Sequence, residues 1–164
     1  GGGFRSMCVD KVTESVDEEN VKISNCQGTR EGVSALKNLN PFETVAGTTM
    51  FTCADIWYED IQDPSSIAVK AAKDCGWTMV KNVDFADGAS KITIQAKGSG
   101  EILVYADTLP ETIEDESKAL AVISLDDDSY KTVASDFSRN MEGLHNLYFV
   151  MSNKDICFKS WSVE

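Results

Sequence analysis

Two adjacent aromatics in a polar setting are the first residues of this chain that could act on a ligand. The stretch "DIWYED", residues 55–60, puts Trp57 beside Tyr58. Sugar rings have apolar faces that stack on Trp and Tyr, while their hydroxyls need polar neighbours. On a strand the two side chains point to opposite faces, so at most one is core; on an exposed loop both can touch a ligand. Tyr105 and Tyr148 lie opposite the apolar positions of their own segments, which predicts that each is exposed.

Other chemistries find less support. Hydrolysis of a glycosidic bond needs two carboxylates facing each other across it, and 27 Asp and Glu single out no pair. "LDDDS", residues 125–129, offers oxygen ligands for calcium, but it lacks the twelve-residue spacing of an EF-hand loop and reads as a solvated hairpin turn. His145, the single histidine, has no Ser or Cys partner in a recognisable motif and reads as structural. The five cysteines (Cys8, Cys26, Cys53, Cys75 and Cys157) form no CxxC pair. Without clustered Cys and His there is no zinc site, and scattered thiols read as small buried hydrophobes. The odd count leaves at least one thiol unpaired in a monomer.

Composition narrows the partners. Net charge is −12 with a pI near 4.4. The basic footprint that nucleic-acid binding requires is missing, and an anionic membrane would repel the chain. A neutral partner such as a polysaccharide suits this balance. No apolar run reaches the ~18 residues of a membrane span. Hydrophobic residues make up 42% of 164, enough for a packed core in one domain with an appendage. "GGGFRSMCVD" carries no signal peptide and reads as the interior of a longer protein.

The elements that must position these residues are mostly strands. Ile92, Ile94 and Ala96 alternate with Thr93, Gln95 and Lys97; Ile102, Val104 and Ala106 alternate with Leu103 and Tyr105; Leu147, Phe149 and Met151 alternate with Tyr148 and Val150. "ALAVISL", "YKTVASDF" and "ICFKSWSV" complete the set. Turn signals punctuate them: "ADGAS", "KGSG", "DTLPETIEDES", "LDDDS", "RNMEG" and "SNKD". "PSSIAVKAAKDCG", residues 64–76, fits either a short helix or alternation. Many short strands with regular punctuation predict an antiparallel β-sandwich. The first forty residues differ: "FRSMCVDKV" can be one strand, "TESVDEENVKIS" an acidic hairpin or a loop with a second short strand, and "CQGTREGVSALKNLN" a connector. The expected division is an extension over 1–39 and a sandwich over 40–164. Trp77, sharing a strand face with Met79, reads as a core residue, as does Trp161; burying a ring of that size contributes roughly 3–5 kcal/mol relative to alanine.

The order of these features resembles a family 6 carbohydrate-binding module. "GWTMVKNVDFADGASKITIQAKGSGEILVYAD" is similar to that family's Trp-containing strand, turn, Gly-Ala hairpin and "GxIxIxLD" strand. "YKTVAS" is similar to its "WxTVS" strand, "GLHNLYFVM" to its "GVHDLYLVF" strand, and "ICFKSW" to its closing strand. "NPFETVAGTTM" sits where the family begins. The resemblance covers about residues 40–164 and implies a jelly-roll sandwich of the galactose-binding-like kind. "FRSMCVD", the acidic hairpin and "TREGVSALKNLNPFE" resemble the end of a family 43 glycoside hydrolase catalytic domain. Together they imply a non-catalytic module of a secreted, extracellular plant-wall-degrading enzyme. Its implied partners are hemicellulose (xylan or arabinoxylan) or β-glucan, and a catalytic domain in cis.

In the family, two aromatics clamp a sugar among loops at one end of the sandwich, helped by a carboxylate and an amide. Here the glutamate position falls at Thr48, the clamp tryptophan at Asp127 and the amide near Phe158, while one aromatic persists as Trp57 or Tyr58. Some family members bind on a sheet face instead, where Tyr105, Tyr148, Gln95 and Leu103 could line a shallow groove. A third expectation is a structural domain that packs on its catalytic partner without binding sugar. The family's structural calcium positions read Ala46, Thr48 and Ser160, so that ion should be weakly held or absent and no cofactor is expected.

Overall fold

The computed structural model describes residues 14–17, 20–24, 37–59, 67–112 and 115–164. The chain forms two compact units, residues 1–36 and Lys37–Glu164. In the first, β1 (Glu14–Asp17) and β2 (Asn20–Ile23) make an antiparallel pair with Val16 opposite Val21. Of the two forms that "TESVDEENVKIS" allows, this is the hairpin. Val16, Val21 and Ile23 are exposed on it. The strand expected from "FRSMCVDKV" and most of the connector lie outside the described residues, as do Cys8 and Cys26.

The second unit is an antiparallel β-sandwich. Its strands are β3 (Val45–Ala46), β4 (Thr52–Ala54), β5 (Ile56–Glu59), β6 (Ala68–Ala71), β7 (Gly76–Asp84), β8 (Ala89–Ala106), β9 (Ala121–Met141), β10 (Leu144–Met151) and β11 (Cys157–Val163). β8 and β9 pair with each other along nearly their whole length and pass through both layers. One layer runs β4, β7, β10, then the second half of β8 and the first half of β9. The other runs β5, β6, β11, then the first half of β8 and the second half of β9, with β3 also on β11. The segment that fitted helix or alternation contains β6, because Val69 and Ala71 serve the core while Lys70 faces out. No helix among the described residues is long and apolar enough to cross a membrane.

Two expected turns are strand interior. "KGSG" lies within β8 and "LDDDS" within β9. Glycine punctuates bends as well as turns: Gly98 and Gly100 take φ of 119° and 124° at the bend of β8 between its two layers. The register shifts there. Ala96 pairs with Lys131 and Gly98 with Asp127, so residues 128–130 bulge opposite Lys97. Bulges re-aim side chains, and this one re-aims Tyr130.

Period-two alternation fills the core as expected. Ile92, Ile94, Ala96, Ile102, Val104, Leu147, Phe149, Met151, Phe158 and Trp161 are all buried in one cluster. Phe149 packs on both Phe158 and Trp161, with centroids 5.0 and 5.2 Å away. Trp161 is a core residue; Trp77 is not in this core. It lies on the outer face of the first layer, half-buried in a second cluster around Leu103, Tyr105, Ala119 and Val150, its ring 5.7 Å from Tyr148.

The same cluster overturns the expected exposure of Tyr105 and Leu103, both only 1% accessible. Leu109 and Ala119, from the β8–β9 connection, pack over them, and the Tyr105 hydroxyl donates to the Asp115 carbonyl at 3.3 Å. Burying these apolar surfaces under a connection removes area from water that an open sheet face would leave exposed.

Candidate functional site

The outer face of the second layer is built by register. Trp57 on the edge strand β5 pairs with Lys70, Lys70 with Cys157, and Cys157 with Lys97. Their neighbours in the same strands, Val69, Phe158 and Ala96, point into the core. Alternation therefore forces Trp57, Lys70, Cys157 and Lys97 onto one outward row, with Glu59 two residues beyond Trp57 on the same side.

A polar network covers this row. Lys97 Nζ donates to Glu59 Oε1 at 2.7 Å, and the Tyr130 hydroxyl donates to Glu59 Oε2 at 2.5 Å. Lys97 and Lys159 both lie over the Tyr130 ring, at 4.9 and 5.7 Å from its centre. Desolvation pushes the Glu59 carboxyl up, but the hydrogen bonds from Lys97 and Tyr130 and the Lys97 charge outweigh it, and the group sits below its ordinary value. The Glu59 hydrogen bond holds the Lys97 ammonium above its usual range. Burial, then the Glu59 hydrogen bond, push the Tyr130 phenol well up. Burial and the Glu59 charge likewise raise Cys157, a free thiol beneath the network.

Beside the network lies a groove of about 340 Å³ lined by Trp57, Lys70, Ala71, Ala72, Lys154 and Asp155. Trp57 forms its apolar wall and is 53% accessible. The loop carrying Lys154 and Asp155 is tied down by the Lys154 amide, which donates to Asp74 Oδ1 at 2.9 Å. Next to Asp74, Lys73 pairs with Asp55 at 2.8 Å. The arrangement offers one exposed ring for stacking, two ammonium groups as donors and one carboxylate as acceptor. It presents no nucleophile–base pair.

The expected site residues distribute as follows. Trp57 and Tyr58 are both about half exposed on β5, but only Trp57 faces the groove; Tyr58 points to the other side of the edge strand. Asp127 is exposed at the bulge, its carboxylate engaged by the Ser129 amide and hydroxyl and by Lys131, and the Ser129 hydrogen bonds hold it below its ordinary value. Phe158 is core. The expected sheet-face groove does not form. Tyr105 and Leu103 are covered, Tyr148 is half-buried against Trp77, and Gln95 lies in the other layer, between Ser160 and Thr132. Sequence reading missed Glu59, Lys70, Lys97, Tyr130, Lys154 and Asp155 as a group. The only signal was that Lys70 and Lys97 occupy outward positions of apolar strands.

Two further expectations concern ions. The calcium positions implied by the resemblance do come together, since Ser160 pairs with Ala46 and the Gly47 amide donates to the Lys159 carbonyl. They supply two hydroxyls and no carboxylate, a poor donor set for a cation that takes six to eight oxygens, so they do not fit calcium. No group of three or more His, Cys, Asp or Glu suited to a metal occurs among the described residues. His145 holds structure: its ring nitrogens lie 2.8 Å from Asp107 Oδ2 and 3.0 Å from the Glu142 carbonyl.

No family model matches the chain. It is 25% identical over 159 residues to an arabinoxylan arabinofuranohydrolase of Paenibacillus polymyxa, a match covering 93% of this chain and 24% of that protein. The chain thus spans about a quarter of the length of that curated relative. Among solved structures it is similar to a family 43 arabinoxylan arabinofuranohydrolase from Bacillus subtilis in complex with cellotetraose (TM-score 0.74, 21% identity, 94% of this chain and 33% of that one). It is also similar to the module CsCBM6-3 from Clostridium stercorarium in complex with cellobiose (TM-score 0.66, 18% identity, 79% of this chain and 98% of that one). The sandwich therefore shares the fold of a family 6 carbohydrate-binding module, and nearly the whole chain is similar in fold to part of a family 43 arabinofuranohydrolase.

Proposed function

We propose that the Lys37–Glu164 unit is a non-catalytic module that holds a plant cell-wall polysaccharide, a xylan, arabinoxylan or β-glucan, in the Trp57 groove. The observation that carries this reading is Trp57 itself. A half-exposed indole costs apolar exposure on an edge strand, and here it walls a groove whose other sides are ammonium, carboxylate and small apolar groups. That combination suits a sugar, with its C–H face on the ring and its hydroxyls toward Lys70, Lys154 and Asp155. The oligosaccharides bound by the similar structures support the ligand class.

The module serves a glycoside hydrolase catalytic domain in the same polypeptide, outside the cell, and has no catalytic role, resident metal, nucleic-acid partner or membrane partner of its own. Coverage supports the partner in cis. The isolated module matches a share of the chain equal to the second unit alone, whereas the two arabinofuranohydrolases match nearly all of it. The exposed Val16, Val21 and Ile23 favour a second role, docking on that partner. A two-stranded hairpin is marginal until its apolar face is covered.

Affinity electrophoresis of the chain through gels containing xylan, arabinoxylan, xyloglucan, mixed-linkage glucan, mannan or pectin tests the reading. At least one polymer should retard the chain, and Trp57→Ala should abolish that retardation. Unchanged retardation of the variant would remove the groove from consideration.

A further inference from the structure

We propose that the Trp57 groove selects glycans carrying carboxylated sugars over neutral chains. The inference rests on the groove being the glycan site and adds the ligand's charge. The chain as a whole is strongly acidic, yet the groove inverts that sign. Its charged lining is Lys70 and Lys154 against a single carboxylate, Asp155. Farther along the same face Lys159 adds another ammonium over the Tyr130 ring.

The lysines differ in how they are neutralised. Lys73, Lys97, Lys118 and Lys131 each have a carboxylate within 3.5 Å: Asp55, Glu59, Asp115 and Asp127. Among the described residues, Lys70 and Lys154 have no such partner. Asp74 accepts from the Lys154 backbone amide through one carboxylate oxygen and makes no ion pair with its ammonium. Two unneutralised ammonium groups beside an exposed indole form a receptor for a ring that is apolar on its face and anionic at its edge. A uronic acid meets that description, either as a branch on a xylan or as the repeating unit of a pectic chain. Neutral sugars would offer those ammonium groups only hydroxyls, weaker partners than a carboxylate. The acids beside the groove are already engaged, Asp74 by the Lys154 amide and Asp55 by Lys73, and more distant charge is screened over a Debye length of about 8 Å.

The test uses the 164-residue chain and three polymers: glucuronoxylan, the same xylan after chemical reduction of its carboxyl groups, and polygalacturonate. Affinity is read by gel retardation and titration calorimetry. Glucuronoxylan is expected to bind about tenfold more tightly than its carboxyl-reduced form, the gain of one hydrogen bond to a charged group. Lys70→Gln and Lys154→Gln should each narrow that difference, weakening retention of glucuronoxylan by a larger factor than retention of the reduced polymer. Added salt should weaken only the acidic polymer. Tight binding of polygalacturonate assigns the carboxylate to a backbone sugar, and weak binding assigns it to a branch. Equal affinity for the native and reduced xylans, or no effect of either lysine variant, overturns the inference. If Trp57→Ala abolishes retention of both xylans while carboxyl reduction changes nothing, the groove stands and its charge preference falls. If Trp57→Ala changes neither, the groove itself falls.

Discussion

Glu59 Oε1 and Lys97 Nζ lie 2.7 Å apart, joining the edge strand β5 to the central strand β8 across 38 residues of sequence. The pair is about three-quarters shielded from water. Glu59 therefore carries a carboxyl value below that of the unfolded chain. A depressed carboxyl stabilises the fold above the unfolded value, and that contribution is lost as pH falls through the folded one. Stability should decline from about pH 5 downward as Glu59 takes up its proton. Glu59→Gln should cost about 1–2 kcal/mol at neutral pH and show a shallower acid decline. Urea unfolding at neutral pH and near pH 3.5 checks this; parallel declines in the two proteins would contradict it.

The partner of the other Glu59 oxygen titrates at the opposite end of the scale. Burial and the Glu59 hydrogen bond hold the Tyr130 phenol above its ordinary value. A raised phenol stabilises the fold below the unfolded value of about 10 and loses that contribution as pH rises past it. Tyr130 should stay un-ionised by tyrosinate absorbance at pH ~11, and Tyr130→Phe should remove that late step from the titration. Wild-type and Tyr130→Phe titrations whose difference falls near pH ~10 would rule this out.

Leu103 and Tyr105 anchor the cover over the first layer, so their substitution should be felt in stability and not in binding. Leu103→Ala should cost about 2–4 kcal/mol, the usual range for a buried leucine. Tyr148→Ala, beside Trp77, should leave polysaccharide retardation intact. Loss of retardation in the Tyr148 variant, with an unchanged thermal midpoint, would restore the sheet face as a binding surface.

The inner faces were legible in sequence and the outer ones were not. Ile92, Ile94 and Ala96 announce their face because each neighbour in the strand is polar. Leu103 and Tyr105 carry the same alternation but are covered by Leu109 and Ala119, which follow them on a connection whose path no local pattern encodes. Trp77 joins that covered face for the same reason. Trp57 was legible as the exposed aromatic because its same-face neighbours, Asp55 and Glu59, are both charged. Its groove was not, because Lys70 comes from β6 and Lys154 and Asp155 from the β10–β11 loop, and each is an ordinary surface residue alone. "KGSG" misled because glycine marks any departure from negative φ, and a strand bending between layers needs it as much as a turn does.

Gly98 connects that bend to the groove. A Cβ there would sit 2.9 Å from both the Asp155 carbonyl oxygen and Ile156 Cα, and its φ of +119° is one that side-chain-bearing residues rarely adopt. Both obstructions are backbone, so relief requires moving the turn in which the Ile156 amide donates to the Asn153 carbonyl. That turn carries Lys154 and Asp155. Gly98→Ala should therefore lower stability by more than about 1–3 kcal/mol and also weaken polysaccharide retention. Gly143→Ala supplies the comparison: φ there is +74°, but a Cβ would meet nothing within 4 Å. It should cost only about 1 kcal/mol, from backbone strain alone, and leave retention unchanged. Equal losses of stability and binding in the two variants would mean that the close approach of Gly98 to the Asp155 loop does not position the groove.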